Sequence, residues 1–148
     1  MHAIWDYKMF EKRIREDFKG DSNLYVRYLL KQMATAWRAE VPEWLSCPKK
    51  DEPEFQRQLC IQSEMDGYFG SCLLTPSPQT ISDLVCPEKW ASFANKVNCD
   101  SVWPKYKRKY ELSGEYYKEN VLVEEKMLAQ AGLRMAAIID YIAESGHL

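Results

Sequence analysis

Residues from about Ser113 to Glu144 space bulky apolar side chains at helical intervals: Tyr117, Val121, Leu128, Met135, Ile138 and Ile142. Apolar residues recurring at steps of three and four mark one face of an α-helix. The segment is therefore expected to form one long helix with these residues near its core face. Ala129, Gly132, Ala136 and Ala137 are small, so a neighbouring helix can approach closely there. A glycine in mid-helix costs roughly 1 kcal/mol relative to alanine, and close packing is the expected reason for Gly132.

The same periodicity runs through the rest of the chain. Ile4, Tyr7, Phe10, Ile14 and Phe18 make an apolar stripe over 3–18, with Gly20 placed to stop that helix. Asp21 or Ser22 then caps the next helix. Val26, Leu30, Met33, Trp37 and Val41 repeat the stripe until Pro42, which is expected to end it. A short helix is expected from Pro53 through Phe55, Leu59 and Gln62 to about Met65. Asp66-Gly67 and Thr75-Pro76-Ser77-Pro78 mark turn and loop. Pro87 opens a further helix with Trp90, Phe93, Ala94 and Val97 on one face. No segment shows sustained alternation with β-branched enrichment. The expected fold is all-α, a bundle of about five helices, with irregular cysteine-bearing connections at 42–52 and 67–86.

At 148 residues the chain suits a single helical domain, 1–148. Twenty basic against 22 acidic residues give a net charge of -2, which supplies no long-range attraction for nucleic acid. Phosphate binding would have to be local, through a metal or a small basic cluster. No apolar run approaches the ~20 residues of a membrane span, and no charged-then-apolar leader follows Met1. The five cysteines, Cys47, Cys60, Cys72, Cys86 and Cys99, form no C-x-x-C pair. Disulfides joining the loops are the better reading, which implies an oxidising compartment and leaves one cysteine free or paired outside the chain.

The chemistry-bearing element is Met1-His2-Ala3-Ile4-Trp5-Asp6. On a helix, His2 and Asp6 lie one turn apart on the same face, beside the apolar stripe, and can reach one ion. Imidazole plus carboxylate suits zinc, which takes roughly four ligands. Taken by itself, such a pair is more often an exposed histidine and a solvated aspartate. Functional residues this close to the first position read as the interior of a longer protein. Lys105-Tyr106-Lys107-Arg108-Lys109-Tyr110 is the one basic run. It reads as a solvated loop in preference to a phosphate-tracking strip. Trp5 reads as packing and not base stacking, and Trp37, Trp44, Trp90 and Trp103 as core or domain-edge packing. Arg134 is expected to pair with an acidic residue and hold the N-terminal helix.

His2-Ala3-Ile4-Trp5-Asp6 resembles the histidine-x-x-tryptophan-aspartate element of the zinc-dependent single-strand nucleases of fungi and plants. That family includes the trypanosomatid 3'-nucleotidase/nucleases and is a relative of bacterial zinc phospholipase C. Further matches lie at Trp90-Ala91, at Asn98-Cys99 through Val102-Trp103-Pro104, and at Leu112-Ser113-Gly114-Glu115-Tyr116-Tyr117. They continue through Val123-Glu124-Glu125, Leu128-Ala129 and Ala131-Gly132-Leu133-Arg134-Met135-Ala136. The order agrees along the chain except at about 43–85, so the stretch 43–86 looks like an insertion.

The resemblance implies the C-terminal part of an all-helical nuclease with a trinuclear zinc cluster. Such an enzyme hydrolyses single-stranded RNA or DNA and 3'-nucleotides in a secreted, cell-surface or secretory-pathway setting. It implies that His2 and Asp6 share one zinc, and that the other ligands belong to an N-terminal part not found here, so at most one partial site is present. It also implies that Cys99 pairs with that missing part. The chain alone is then expected to be catalytically silent and prone to self-association. The competing class is a non-catalytic helical interaction domain in which His2 and Asp6 are surface residues.

Overall fold

The amino-terminal stripe folds as two kinds of helix in succession. The computed structural model describes residues 3–47, 56–61, 71–76, 81–104, 106 and 111–145. A π-helical turn, π1, spans Ile4–Lys8 and runs directly into α1, Met9–Asp17. The Met9 N–H reaches back five residues to the Ile4 carbonyl. The wider turn sets Ile4 and Met9, five apart, into one apolar cluster. Tyr7, expected on the stripe, is instead exposed. At the other end of α1 the amides of Phe18 and Gly20 both donate to the Ile14 carbonyl, at 3.1 and 2.9 Å. Lys19 (φ 55°) and Gly20 (φ 80°) are left-handed, a conformation glycine adopts without a Cβ penalty. Asp21 then caps α2, Ser22–Ala34, its Oδ1 accepting from the amides of Asn23 and Leu24.

The buried positions of α2 are Tyr25, Leu29 and Met33, four apart; of the expected stripe Val26 is exposed, whereas Met33 and Val41 are buried and Leu30 and Trp37 pack against the core. The helix also stops before Pro42. Thr35 bonds its hydroxyl to the Lys31 carbonyl, and the Trp37 amide reaches Gln32. Pro42 sits in the first turn of α3, Val41–Leu45, where its missing N–H costs nothing. It opens a helix and does not close one.

Among the described residues the fold is all-α apart from one hairpin, which corrects the expected helix at Pro53–Met65. β1, Gln56–Ile61, pairs antiparallel with β2, Ser71–Pro76. Leu59 is therefore a strand residue, and Thr75-Pro76 belongs to β2. Phe55, Gln62, Met65, the Asp66-Gly67 turn and Ser77-Pro78 lie outside the described residues. α4, Ile81–Leu84, follows, then α5, Pro87–Val97, opened by Pro87 as expected. Trp90, Ala94 and Val97 of α5 are half-buried, whereas Phe93 is exposed. A second π-helical turn, π2, occupies Asn98–Val102, and α6 spans Glu115–Glu144.

Contacts divide the chain into two units. The first, 1–26 with 87–128, centres on Met9, Tyr116, Tyr117 and Val121. In the second, 27–86 with 129–148, Met33, Val41, Trp44 and Leu45 pack with Ala129, Leu133 and Ala137. Arg134 Nε donates to the Trp44 carbonyl at 3.0 Å, and Trp37 lies 6.0 Å from the Trp44 ring. Ala129 and Ala137 do pack closely, but Ala136 is exposed and no atom lies within 4 Å of where a Gly132 Cβ would sit. Leu128 and Met135, expected near the core, are exposed. Polar side chains take part of the buried face in their place: Asn120, Glu124, Glu125 and Gln130.

Cys47 and Cys86 form a disulfide inside the second unit, closing a 39-residue separation. A loop of that size is worth on the order of 4 kcal/mol in the chain-entropy account. Cys99 is a free, exposed thiol. The hairpin register sets Cys60 directly opposite Cys72. Non-reducing peptide mass analysis should find the Cys47–Cys86 bridge with Cys99 alkylated, and at most two bridges in all. Five alkylatable cysteines would contradict this.

Candidate functional site

A relay of two hydrogen bonds joins three elements of the first unit. Trp5 Nε1, on π1, donates at 2.9 Å to the Tyr116 hydroxyl on α6. That hydroxyl donates in turn at 3.2 Å to the Val102 carbonyl on π2. Burial raises the Tyr116 pKa, so the phenol stays a neutral donor. The Trp5 bond opposes that shift without cancelling it. Trp5 is thus held by packing and one directed bond, in agreement with its reading as a packing residue.

Deeper in the same unit lies a charged core. Glu125 has no exposed surface, and Arg13 Nε of α1 donates to its Oε1 at 2.7 Å. The same guanidinium reaches Asp17 through Nη1 at 2.7 Å and lies 5.6 Å from the Phe18 ring. This bond joins the N-terminal helix to α6. Beside this pair, both carboxyl oxygens of Glu124 are buried without a hydrogen-bond partner. Burial, aided by the neighbouring Glu125 charge, pushes the Glu124 pKa up to about 8. One turn back, Asn120 donates through Nδ2 to the Tyr116 carbonyl at 2.8 Å and leaves its buried Oδ1 unmatched.

Above the relay is an open cavity of about 310 Å³. π1 contributes Trp5 and Asp6 to its wall, and π2 contributes Asn98 and Val102. Trp103 follows π2 and closes one side. Ala94 and Val97 of α5 and Met127 of α6 add apolar lining.

Asp6 is exposed on π1 at this cavity. His2, its expected partner, lies outside the described residues, as does His147. Of the basic run only Tyr106 is described; it packs against Trp103 and the first core cluster. Among the described residues no three His, Cys, Asp or Glu side chains converge to hold a metal. The described donors therefore do not complete a zinc site: Asp6 supplies one carboxylate, and no hydrolytic step follows from it alone.

A sequence profile of the S1/P1 nuclease family matches residues 1–144. The chain belongs to the S1/P1 nuclease family. It is 22% identical to Endonuclease 2 of Arabidopsis thaliana over 142 residues, 96% of this chain and 38% of that protein. It is 42% identical to Nuclease S1 of Aspergillus oryzae over 57 residues, 36% of this chain and 20% of that protein. The chain thus spans well under half the length of these relatives. No solved structure matches it. Within this S1/P1 chain the structural features not expected from the sequence are the buried Glu124 and Asn120 oxygens, the Arg13–Glu125 pair and the two π turns. Their only advance signal was that Val123-Glu124-Glu125, Tyr116-Tyr117 and Asn98-Cys99 fall in the stretches carrying the resemblance.

Two outcomes test this charged core. A carboxyl with a raised folded pKa binds more protons in the native than in the unfolded state between its ordinary value of 4.5 and about 8. Its contribution to stability is complete below that window and is lost as pH rises through about 8. Thermal unfolding should therefore show the chain less stable at pH 8 than at pH 5.5, and Glu124→Gln should reduce that slope. Arg13→Met, which leaves Glu125 buried without its counter-charge, should cost about 3–5 kcal/mol in urea unfolding at pH 7. A loss under 1 kcal/mol would show the pair to be dispensable.

Proposed function

We propose that this chain is part of a zinc-dependent nuclease that hydrolyses phosphodiester bonds in single-stranded nucleic acid and the phosphate ester of 3'-nucleotides. The observation that carries the reading is the placement of Asp6. Within a chain of the S1/P1 nuclease family, this exposed carboxylate stands at the wall of a cavity large enough for a nucleotide moiety. His2 and Asp6 share one zinc in this proposal. When bound, zinc ions lower the pKa of a coordinated water and neutralise charge on phosphate oxygens. His2 and Asp6 would hold that ion, with Asp6 supplying a carboxylate at the cavity that Ala94, Val97 and Met127 also line.

The sequence holds two histidines in all, His2 and His147. Three zinc ions take roughly four ligands each, and among the described residues no three His, Cys, Asp or Glu side chains gather to hold even one. The remaining ligands therefore come from outside these 148 residues, and the chain alone is catalytically silent. The Cys47–Cys86 disulfide supports a secretory-pathway, cell-surface or secreted setting. Cys99, exposed and unbridged, is the residue proposed to pair outside the chain. Among the described residues no helix is long and apolar enough to cross a membrane. The region 43–86 is read as an insertion, and exposed apolar residues such as Met135 and Ile139 favour self-association of the isolated chain.

The test is an assay of the purified chain with single-stranded DNA, single-stranded RNA and 3'-adenosine monophosphate, with zinc and with chelator. No chelator-sensitive turnover is expected. Zinc competition should show weak binding that His2→Ala or Asp6→Ala abolishes. Robust chelator-sensitive cleavage would overturn the silence of the chain. Zinc binding unaffected by both substitutions would overturn the ligand assignment.

A further inference from the structure

The later turns of α6 carry apolar side chains on two sides. One side is buried: Ala129, Leu133 and Ala137 pack with Met33, Val41, Trp44 and Leu45. The other is open. Leu128, Met135 and Ile139 are 44%, 60% and 54% exposed, and Gly132, Ala136 and Ala143 are exposed beside them. At about 100° per residue these positions gather on one face of the helix, and no charged residue between 128 and 143 falls within it. A helix face turned to water ordinarily carries charge. A contiguous uncharged apolar strip marks a surface that meets another protein.

The order of residue sizes along this face says what it fits. Consider a second copy of α6 laid antiparallel on the first, with the twofold axis between Met135 and Ala136. Leu128 then meets the partner's Ala143, Gly132 meets the partner's Ile139, and Met135 meets the partner's Ala136. Every bulky side chain falls opposite a small one. A parallel pair would instead set each residue against its own copy, bulk on bulk and gap on gap. The notch at Gly132 is open, since nothing lies within 4 Å of where its Cβ would sit. Glycine lowers the helix propensity of α6 at this point without relieving any crowding inside the chain. Across an antiparallel pair it makes room for the partner's Ile139. The six residues expose on the order of 500 Å² per copy, so pairing removes about 1,000 Å² from water, where specific interfaces begin.

We propose that the open face of α6 is a homodimer interface, in which two copies of this chain pair antiparallel with their bulky and small residues interlocked. The pairing gives self-association a location and a symmetry, and it depends neither on zinc nor on nucleic acid. An interface of this size places dissociation in the micromolar range, on the order of 10 μM.

The test is sedimentation velocity of the intact 148-residue chain in chelator, from about 1 to 100 μM, a range that brackets the dissociation constant expected for this area. A reversible monomer–dimer equilibrium should appear. Met135→Glu and Ile139→Glu should each weaken it at least about tenfold, while circular dichroism of the dilute monomer stays unchanged because both side chains are exposed. Gly132→Leu should weaken it as well, by filling the notch that the partner's Ile139 needs. That variant adds apolar surface, so stronger association in it would show general stickiness and overturn the interlocked pair. In a Cys99→Ser background, Met135→Cys should oxidise to a covalent dimer and Leu128→Cys should not, since antiparallel copies carry Leu128 to opposite ends. Equal cross-linking at both positions would overturn the antiparallel order. A chain that stays monomeric at 100 μM, or one whose dimer survives both glutamate substitutions, would overturn the interface and assign this face to a different occupant.

Discussion

Taking a carboxylate entirely out of water requires either a matched positive charge or a bound proton, and the first unit uses both solutions on adjacent residues. Glu125 is met by Arg13, which reaches it from a helix 112 residues away in sequence. Glu124 has no such partner, and its pKa rises to about 8. The rest of the unit is organised around that difference. Arg13 also holds Asp17 near the end of α1 and lies against Phe18, whose ring meets Tyr25 at 5.2 Å. One guanidinium thereby links the end of a helix, an aromatic pair and a buried charge. The apolar cluster of Met9, Tyr116, Tyr117 and Val121 forms beside it and could not substitute for it.

The cavity depends on this arrangement at one remove. α6 supplies Glu125 to the charged pair, Tyr116 to the relay and Met127 to the cavity lining. With the α1–α6 register fixed by Arg13, the relay has one length available, and the indole of Trp5 takes one position.

Much of the architecture was legible in the sequence. The first helix, the stop at Gly20, the cap at Asp21, the start at Pro87 and the long last helix all follow from local rules acting within a few residues. The errors share a different origin. Val26, Leu128 and Met135 were placed on core faces by counting apolar residues, while Asn120, Glu124, Glu125 and Gln130 occupy part of the buried face. Each polar residue there answers to a partner or a proton that no local window reveals. Pro42 was read as a terminator because position within a helix, not identity, decides what a proline does. The hairpin at 56–76 has neither β-branched enrichment nor clean alternation, so its pairing comes from tertiary context. For the site, the spacing of His2 and Asp6 suggested a metal, and Asp6 does stand at a cavity. Asn98 and Trp103 gave no signal as wall residues because their roles depend on a turn of unusual width.

That width has a consequence for how this segment tolerates change. A π turn is an α-helix holding one surplus residue, so removing any one residue between Ile4 and Lys8 would let the ladder close in the ordinary α register. Everything on the amino-terminal side would then rotate by about 100° about the helix axis. The composition would be nearly untouched, and the apolar stripe would read as well as before. Yet Trp5 would swing off Tyr116, and the cavity would lose a wall. Length in this short stretch is an angular coordinate, and a single-residue gap there would redirect the site more thoroughly than most substitutions within it.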